Sequence, residues 1–356
     1  MLPFRNLCFH NGKGHERVDG ETDLESGWIK RSYCFQGLAI DFLCDRRDFP
    51  FISKHLDSRF GHQEYPVRDH FDFEIRFVEL PYGIPEDATR VITTENITCY
   101  RNGRDVYFRS GDGSTVRLDP IVQSAKGFLT KEILNNEAAL FPLLFGALFE
   151  NAKYQGLFSL HAAGVWNEGV GYLITGGSGC GKTSIALSLV CEGFKYVSDD
   201  VLFFREKDGQ IVVQTFDRNF HVSRDWAAHF QALQRGGVLL SDPDDSKIVV
   251  DISRYFPGSH LASVRPDAII FVSIVPNQET FLSYLGQTEG YLRLLRQISL
   301  AADPQVFRKQ LKILEKLTRQ TIGFELMLGQ DVYEEPRRAM NFFRQVGRRV
   351  KDDQKD

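Results

Sequence analysis

Tyr172-Leu173-Ile174-Thr175-Gly176-Gly177-Ser178-Gly179-Cys180-Gly181-Lys182-Thr183 reads as an apolar strand running into a glycine-rich loop. From Gly176 to Thr183 the run matches G-x-x-x-x-G-K-[ST] in full. An apolar helix from Lys182 to Glu192 is expected behind it, closed by Gly193. The residue types follow from the chemistry of holding phosphate. Glycines carry no Cβ, so successive backbone N–H groups can turn onto one anion. The helix that follows adds the positive end of its dipole. Lys182 supplies a mobile cation for the β- and γ-phosphates, and the Thr183 hydroxyl is a ligand for Mg²⁺. A glycine-rich turn with a chance Lys-Thr would lack the flanking strand and helix. The expected ligands are ATP and Mg²⁺, held by Gly176, Gly177, Ser178, Gly179, Cys180, Gly181, Lys182, Thr183 and Ser184.

One helix further on stands Ser198-Asp199-Asp200, inside the apolar run from Tyr196 to Phe204. Charges in such a run cost free energy unless they are paired or bind metal. Nucleotide-bound Mg²⁺ takes hard oxygen ligands, and phosphoryl transfer needs an oriented acceptor. Two adjacent carboxylates could serve both needs. Within a regular strand they would face opposite sides, so the pair is expected where the strand is irregular or ends. Upstream, His161 lies in Leu160-His161-Ala162-Ala163-Gly164-Val165, which by itself fits a short turn around a structural histidine.

Together, Leu160 to Ala163, the loop, the helix ending at Gly193, and Ser198-Asp199-Asp200 resemble the HPr kinase/phosphorylase superfamily. That superfamily shares its nucleotide core with phosphoenolpyruvate carboxykinase. The short step from loop to carboxylates carries the resemblance. It is sharp over residues 157–204 and fainter beyond, where Leu326 to Asp331 looks like a terminal strand of such relatives. The resemblance implies Asp199 as acceptor-side base, Asp200 as metal ligand with Thr183, Lys182 at the transferring phosphoryl group, and His161 lining the active site. It implies transfer of the γ-phosphoryl group of ATP to a hydroxyl on a small molecule, peptide or protein. Two positions depart from the pattern. Ser184 stands where HPr kinases usually place Glu, and Phe216 to His221 occupies the region of their second glycine-rich signature. HPr itself is therefore not the expected acceptor; free serine or a modified peptide is nearer the pattern.

Outward from the loop, the chain predicts an α/β protein of two domains: a strand-rich α+β domain over residues 1–125 and the loop-bearing domain over residues 126–350. Phe73, Ile75 and Phe77 alternate with Glu74 and Arg76, the mark of a half-buried strand. Ile97 to Arg101 and Asp105 to Arg109 flank Asn102-Gly103, a strong hairpin signal. Pro50 to Phe60, Leu129 to Tyr154, Glu289 to Ile298 and Pro304 to Thr318 are expected helices. The N-terminal region carries no chemical motif, so substrate recognition or packing is its expected role. Arg218 is expected in a surface salt bridge, and Arg254 and Arg265 as solvated charges. Met340, Phe342, Phe343 and Val346 lie among C-terminal arginines, as in a docked amphipathic helix.

With 42% hydrophobic and 25% charged residues over 356 positions, the chain has the composition of a globular protein. A net charge of -4 gives no footprint for nucleic acid. Six cysteines (Cys8, Cys34, Cys44, Cys99, Cys180 and Cys191) lack metal-ligand spacing, which suits reduced thiols in a cytoplasm. No signal peptide or membrane span is expected; the greasiest stretch, Ala138 to Phe149, is short and contains Pro142. Self-association into a homo-oligomer stays open. Besides a kinase, a nucleotide-gated binding protein and a nucleotide hydrolase share the loop. They differ in whether the acidic pair serves transfer to an acceptor.

Overall fold

Phe71, Phe73 and Ile75 are buried while Asp72 and Arg76 are exposed, so the alternation read from the sequence forms one strand of a sheet. The computed structural model describes residues 21–23, 27–35, 38–59, 69–215, 219–223 and 247–353. By contact these form two units. One lies within Asn11–Gly156 and Leu300–Arg308, the other within Leu157–Ser299 and Lys309–Asp356. Both contain strands and helices, so the chain is a mixed α/β protein.

The first unit is built on β1 (Glu21–Asp23), β2 (Trp28–Phe35), β3 (Leu38–Asp45), β4 (Asp69–Phe77), β5 (Thr89–Thr93), β6 (Ile97–Asn102), β7 (Asp105–Ser110), β8 (Thr115–Asp119) and β9 (Ser124–Leu129). They form a nine-stranded sheet in the order β1-β2-β3-β4-β9-β8-β7-β6-β5. Helix α1 (Phe49–Arg59) joins the parallel strands β3 and β4, and β9 lies parallel on the other side of β4. The hairpin between β6 and β7 turns on Gly103-Arg104, one residue later than expected. Asn102 still pairs with Asp105, and Gly103 takes the positive φ of 57°.

The expected helix from Leu129 to Tyr154 is shorter. Leu129 ends β9, a 3₁₀ turn covers Lys131–Asn135, and α2 runs from Glu137 to Tyr154 with Pro142 inside it. The expected division near Lys126 falls inside β9, which is hydrogen-bonded between β4 and β8; the contact boundary lies after Gly156. A change in sequence character at a strand was therefore not a change of unit. Among the described residues no helix is long and apolar enough to cross a membrane.

The second unit begins with β10 (Phe158–Asn167), β11 (Val170–Thr175), α3 (Lys182–Cys191), β12 (Lys195–Ser198), β13 (Val201–Lys207) and β14 (Gln210–Thr215). It continues with β15 (Phe220–Ser223), β16 (Lys247–Val250), β17 (Ser263–Val264), β18 (Ala268–Ile274), β19 (Phe281–Leu285) and α4 (Gln287–Leu294). Helix α5 (Pro304–Gln320), whose residues up to Arg308 belong to the first unit, is followed by β20 (Ile322–Leu328), α6 (Gln330–Glu334) and α7 (Ala339–Asp353). The main sheet runs β17-β14-β13-β10-β11-β18-β20-β19, with β12 also on β10. The expected helix to Ile298 stops at Leu294, and Ile298 instead bridges to Leu160 on β10.

One buried cluster joins Tyr172 and Ile174 of β11, Ile270 and Val272 of β18, Phe324 and Leu326 of β20, helix α3 and helix α7. Helix α7 is the amphipathic element expected: Phe343, Val346 and Val350 are buried, while Arg344, Arg348 and Arg349 are exposed.

Candidate active site

Strand β11 runs parallel to β18, and β18 parallel to β20, so their carboxyl ends gather at one edge of the sheet. Ligands of open α/β sheets bind at that edge. The glycine-rich loop leaves β11 there and enters α3. At Gly176 the packing requires a glycine. A Cβ on Gly176 would strike the Val272 carbonyl oxygen and lie 2.8 Å from Cys180 Sγ. Gly179 has φ 76°, and Gly181, at φ 95°, caps α3. Gly177, Ser178 and Gly179 are exposed at the tip. Burial pushes the Cys180 thiol up despite nearby Lys182, so it stays protonated at neutral pH.

The Lys182 side chain folds back over the loop. Its Nζ donates to the Gly176 carbonyl at 3.1 Å and to the Gly177 carbonyl at 3.0 Å. Lys182 is 6% exposed, and among the described residues it makes no ion pair. A buried ammonium held only by neutral oxygens fits a site completed by an anion. Thr183 is half-buried in the same first turn of α3, and Ser184 is buried beside it.

Strand β10 brings the distant groups to this loop. On one side Ala162 pairs with Thr175, the last residue of β11, and Thr175 Oγ1 donates to the His161 carbonyl at 3.1 Å. On the other side β10 pairs first with β13, His161 facing Val201, and then with β12, Gly164 facing Ser198. The register slips between Gly164 and Val165. Asp199 and Asp200 occupy the gap between β12 and β13, at the break their charge required. His161 is not in a turn as its small neighbours suggested; it lies within β10, where Ala162, Ala163 and Gly164 pack in the sheet.

The two carboxylates differ. Asp200 is partly open, and its Oδ1 lies 2.8 Å from His161 Nε2. Burial pushes its carboxyl up, but the hydrogen bond and charge of His161, with His221 and Lys182 beyond, outweigh this and hold it below the usual carboxylate range. Asp199 is 1% exposed, and its Oδ2 accepts the backbone N–H of His221 at 2.9 Å. The structure thus groups Lys182, His161 and Asp200 electrostatically, with Asp199 behind them against β15.

No family model matches the chain. Over 127 residues it is 31% identical to an HPr kinase/phosphorylase of Chlorobium limicola, covering 36% of this chain and 33% of the relative. Over 53 residues it is 43% identical to an HPr kinase/phosphorylase of Clostridium botulinum, covering 15% of this chain and 17% of the relative. Over these segments the chain is distantly similar to the HPr kinase/phosphorylases. The matches span a third or less of those relatives' own length. The solved Hpr(Ser) kinase/phosphatase of Coxiella burnetii aligns with 44% of this chain and 93% of its own, at 14% identity and a TM-score of 0.26. That superposition is too loose to bear on the fold.

Divergence shows at His221, which sequence reasoning quoted only as a place where the family pattern is missing. His221 is buried on β15, holds Asp199 through its backbone N–H and bears electrostatically on Asp200. Its spacing from the acidic pair carried no signal, because the approach depends on the pairing of β15 with β16 (His221 facing Val249). Arg254 and Arg265, expected as solvated charges, both make ion pairs: Arg254 with the partly exposed Asp251 at 3.1 Å, and Arg265 with the buried Asp267 at 2.9 Å. Arg218 lies outside the described residues.

Proposed function

We propose that this protein is an ATP-dependent phosphotransferase that moves the γ-phosphoryl group to a hydroxyl acceptor, serine-like in chemistry. The single observation that carries the proposal is the Lys182–Asp200–His161 grouping at the end of a complete phosphate loop. The loop N–H groups and the α3 N-terminus receive the phosphates. Lys182 exchanges its carbonyl partners for phosphate oxygens. Thr183 and Asp200 are the residues that would hold Mg²⁺, which when bound neutralises charge on the β- and γ-phosphates. His161 fixes the Asp200 carboxylate, as second partners of metal-binding groups do. Rate enhancement in such a site comes mainly from positioning and charge stabilisation.

Asp199 has two readings. The family resemblance makes it the acceptor-side base. Its burial against the His221 N–H favours a carboxylate that fixes the β12–β13 break. Asp199→Asn separates them. Loss of a base lowers turnover about 10²–10⁴-fold with an unchanged melting temperature. Loss of a fixing carboxylate lowers the melting temperature and Mg-ATP affinity together. The N-terminal unit is proposed to select the acceptor.

Transfer itself is tested with γ-labelled ATP against free serine, serine peptides and water. Label on a hydroxyl acceptor, abolished in Asp200→Asn, supports the kinase. Label released only as inorganic phosphate makes the protein a hydrolase, and no release with tight Mg-ATP binding makes it a nucleotide-gated binding protein.

A further inference from the structure

In the first unit a pocket of about 380 Å³ opens between the β6–β7 hairpin tip, the β8–β9 turn, the end of α2 and the start of α5. Arg101 and Arg104 both line it. Each guanidinium is held by the same device. Asp303 Oδ1 accepts the backbone N–H groups of Gln305 and Val306, at 2.8 and 3.1 Å, while its Oδ2 takes Arg101 Nη2 at 2.9 Å. Asp119 Oδ1 accepts the backbone N–H groups of Ile121 and Val122, at 3.1 and 3.3 Å, while its Oδ2 takes Arg104 Nη2 at 2.8 Å. Each aspartate thus anchors a turn with one oxygen and an arginine with the other.

Anchoring through Nη2 leaves the rest of each guanidinium fork for a ligand. Arg101 Nε is buried and has no hydrogen-bond partner, which is costly unless something completes it. Tyr154 adds a hydroxyl to the same pocket. Burial, with Glu150 and Asp303, pushes that phenol up, so it remains a donor. Ile121 and Val306 supply apolar wall. Two guanidinium groups and a phenol thus line a space larger than one anion alone needs.

We propose that this pocket binds a small organic anion, a carboxylate or phosphate monoester, with its charged end on Arg101 and Arg104 and its apolar part against Ile121 and Val306. The two aspartates already balance the two arginines, so the site favours a singly or doubly charged small molecule over a polyanion. Planar oxygen pairs match the guanidinium fork. Nothing in this assignment depends on phosphoryl transfer at the loop.

The test is titration calorimetry on the full chain in the Lys182→Ala background, which weakens anion binding at the loop. The probes are inorganic phosphate, phenyl phosphate and benzoate. Arg104→Gln is the diagnostic variant, since Arg104 is exposed at a hairpin tip and its loss leaves the core intact. At least one aromatic probe is expected to bind more tightly than inorganic phosphate, and Arg104→Gln is expected to weaken it about tenfold or more. Arg104→Lys, which keeps charge but not the fork, is expected to recover only part of the loss. Tighter benzoate than phenyl phosphate identifies a carboxylate site, and the reverse a phosphate site. No binding of any probe, or equal binding by Arg104→Gln and its parent, overturns the proposal.

Discussion

Thr175 donates its hydroxyl to the carbonyl oxygen of His161, so the last residue before the phosphate loop is tied to the residue whose ring holds Asp200. Both belong to adjacent antiparallel strands, and the bond lies between the two ends of the site. Any shift of β10 against β11 would move Asp200 relative to Lys182.

Thr175→Val should therefore report on the site as well as on stability. The side chain is fully buried, and valine keeps its shape while losing the donor. A loss of about 1 kcal/mol is expected in denaturant unfolding, the usual worth of one buried hydrogen bond. Mg-ATP binding should survive but weaken. A variant with lower stability and unchanged binding would show that the bond does not position Asp200.

The loop glycines should not tolerate substitution equally. Gly176→Ala places a methyl group against the Val272 carbonyl oxygen, and backbone there cannot yield as a flexible side chain could. Overpacking of this kind costs about 1–3 kcal/mol. Gly177 has open space around its Cβ position and no positive φ, so Gly177→Ala should melt like wild type. Thermal melts of the two variants without nucleotide make the comparison. Equal melting temperatures would contradict the close approach of loop and β18.

The Asp200 carboxylate makes a stability contribution with a defined direction in pH. Its folded-state pKa is depressed, against about 3.9 in an unfolded chain. Its contribution is therefore complete above that value and is lost as pH falls through the folded pKa. The gap in stability between wild type and Asp200→Asn should be present at pH 5 and shrink toward pH 3. His161→Gln removes the main source of the depression, so in that background the decline should begin at higher pH. A gap that widens on acidification would reverse the sign and the role of His161.

The sequence made the loop, α3 and the need for a strand break at Asp199-Asp200 legible, because each follows from local chemistry: glycine spacing, helix capping, and charge in an apolar run. It did not show that His161 lies on a strand. Ala162, Ala163 and Gly164 are small because β10 is covered on both sides: a Cβ on Gly164 would meet Val197 and Leu202 at 3.2–3.3 Å. Small residues read as a turn when the packing above them is unseen. The unit boundary was missed for a related reason. Residues 124–129 look like the start of something new, but their strand partners are β4 and β8, a pairing that only the folded sheet reveals. His221 was invisible because its hold on Asp199 is through a backbone N–H, which every residue but proline has, and its ring reaches the Asp200 environment only through the fold of β15.

Titration calorimetry of ATP, with and without Mg²⁺, on wild type, Lys182→Ala and Asp200→Asn most directly tests a Mg-nucleotide site built from the loop and Asp200. Wild type should bind ATP one to one, more tightly with Mg²⁺. Lys182→Ala should bind weakly under both conditions. Asp200→Asn should bind ATP but lose the strengthening by Mg²⁺. Absence of ATP binding in wild type, or an unchanged Mg²⁺ effect in a folded Asp200→Asn, would contradict the site described here.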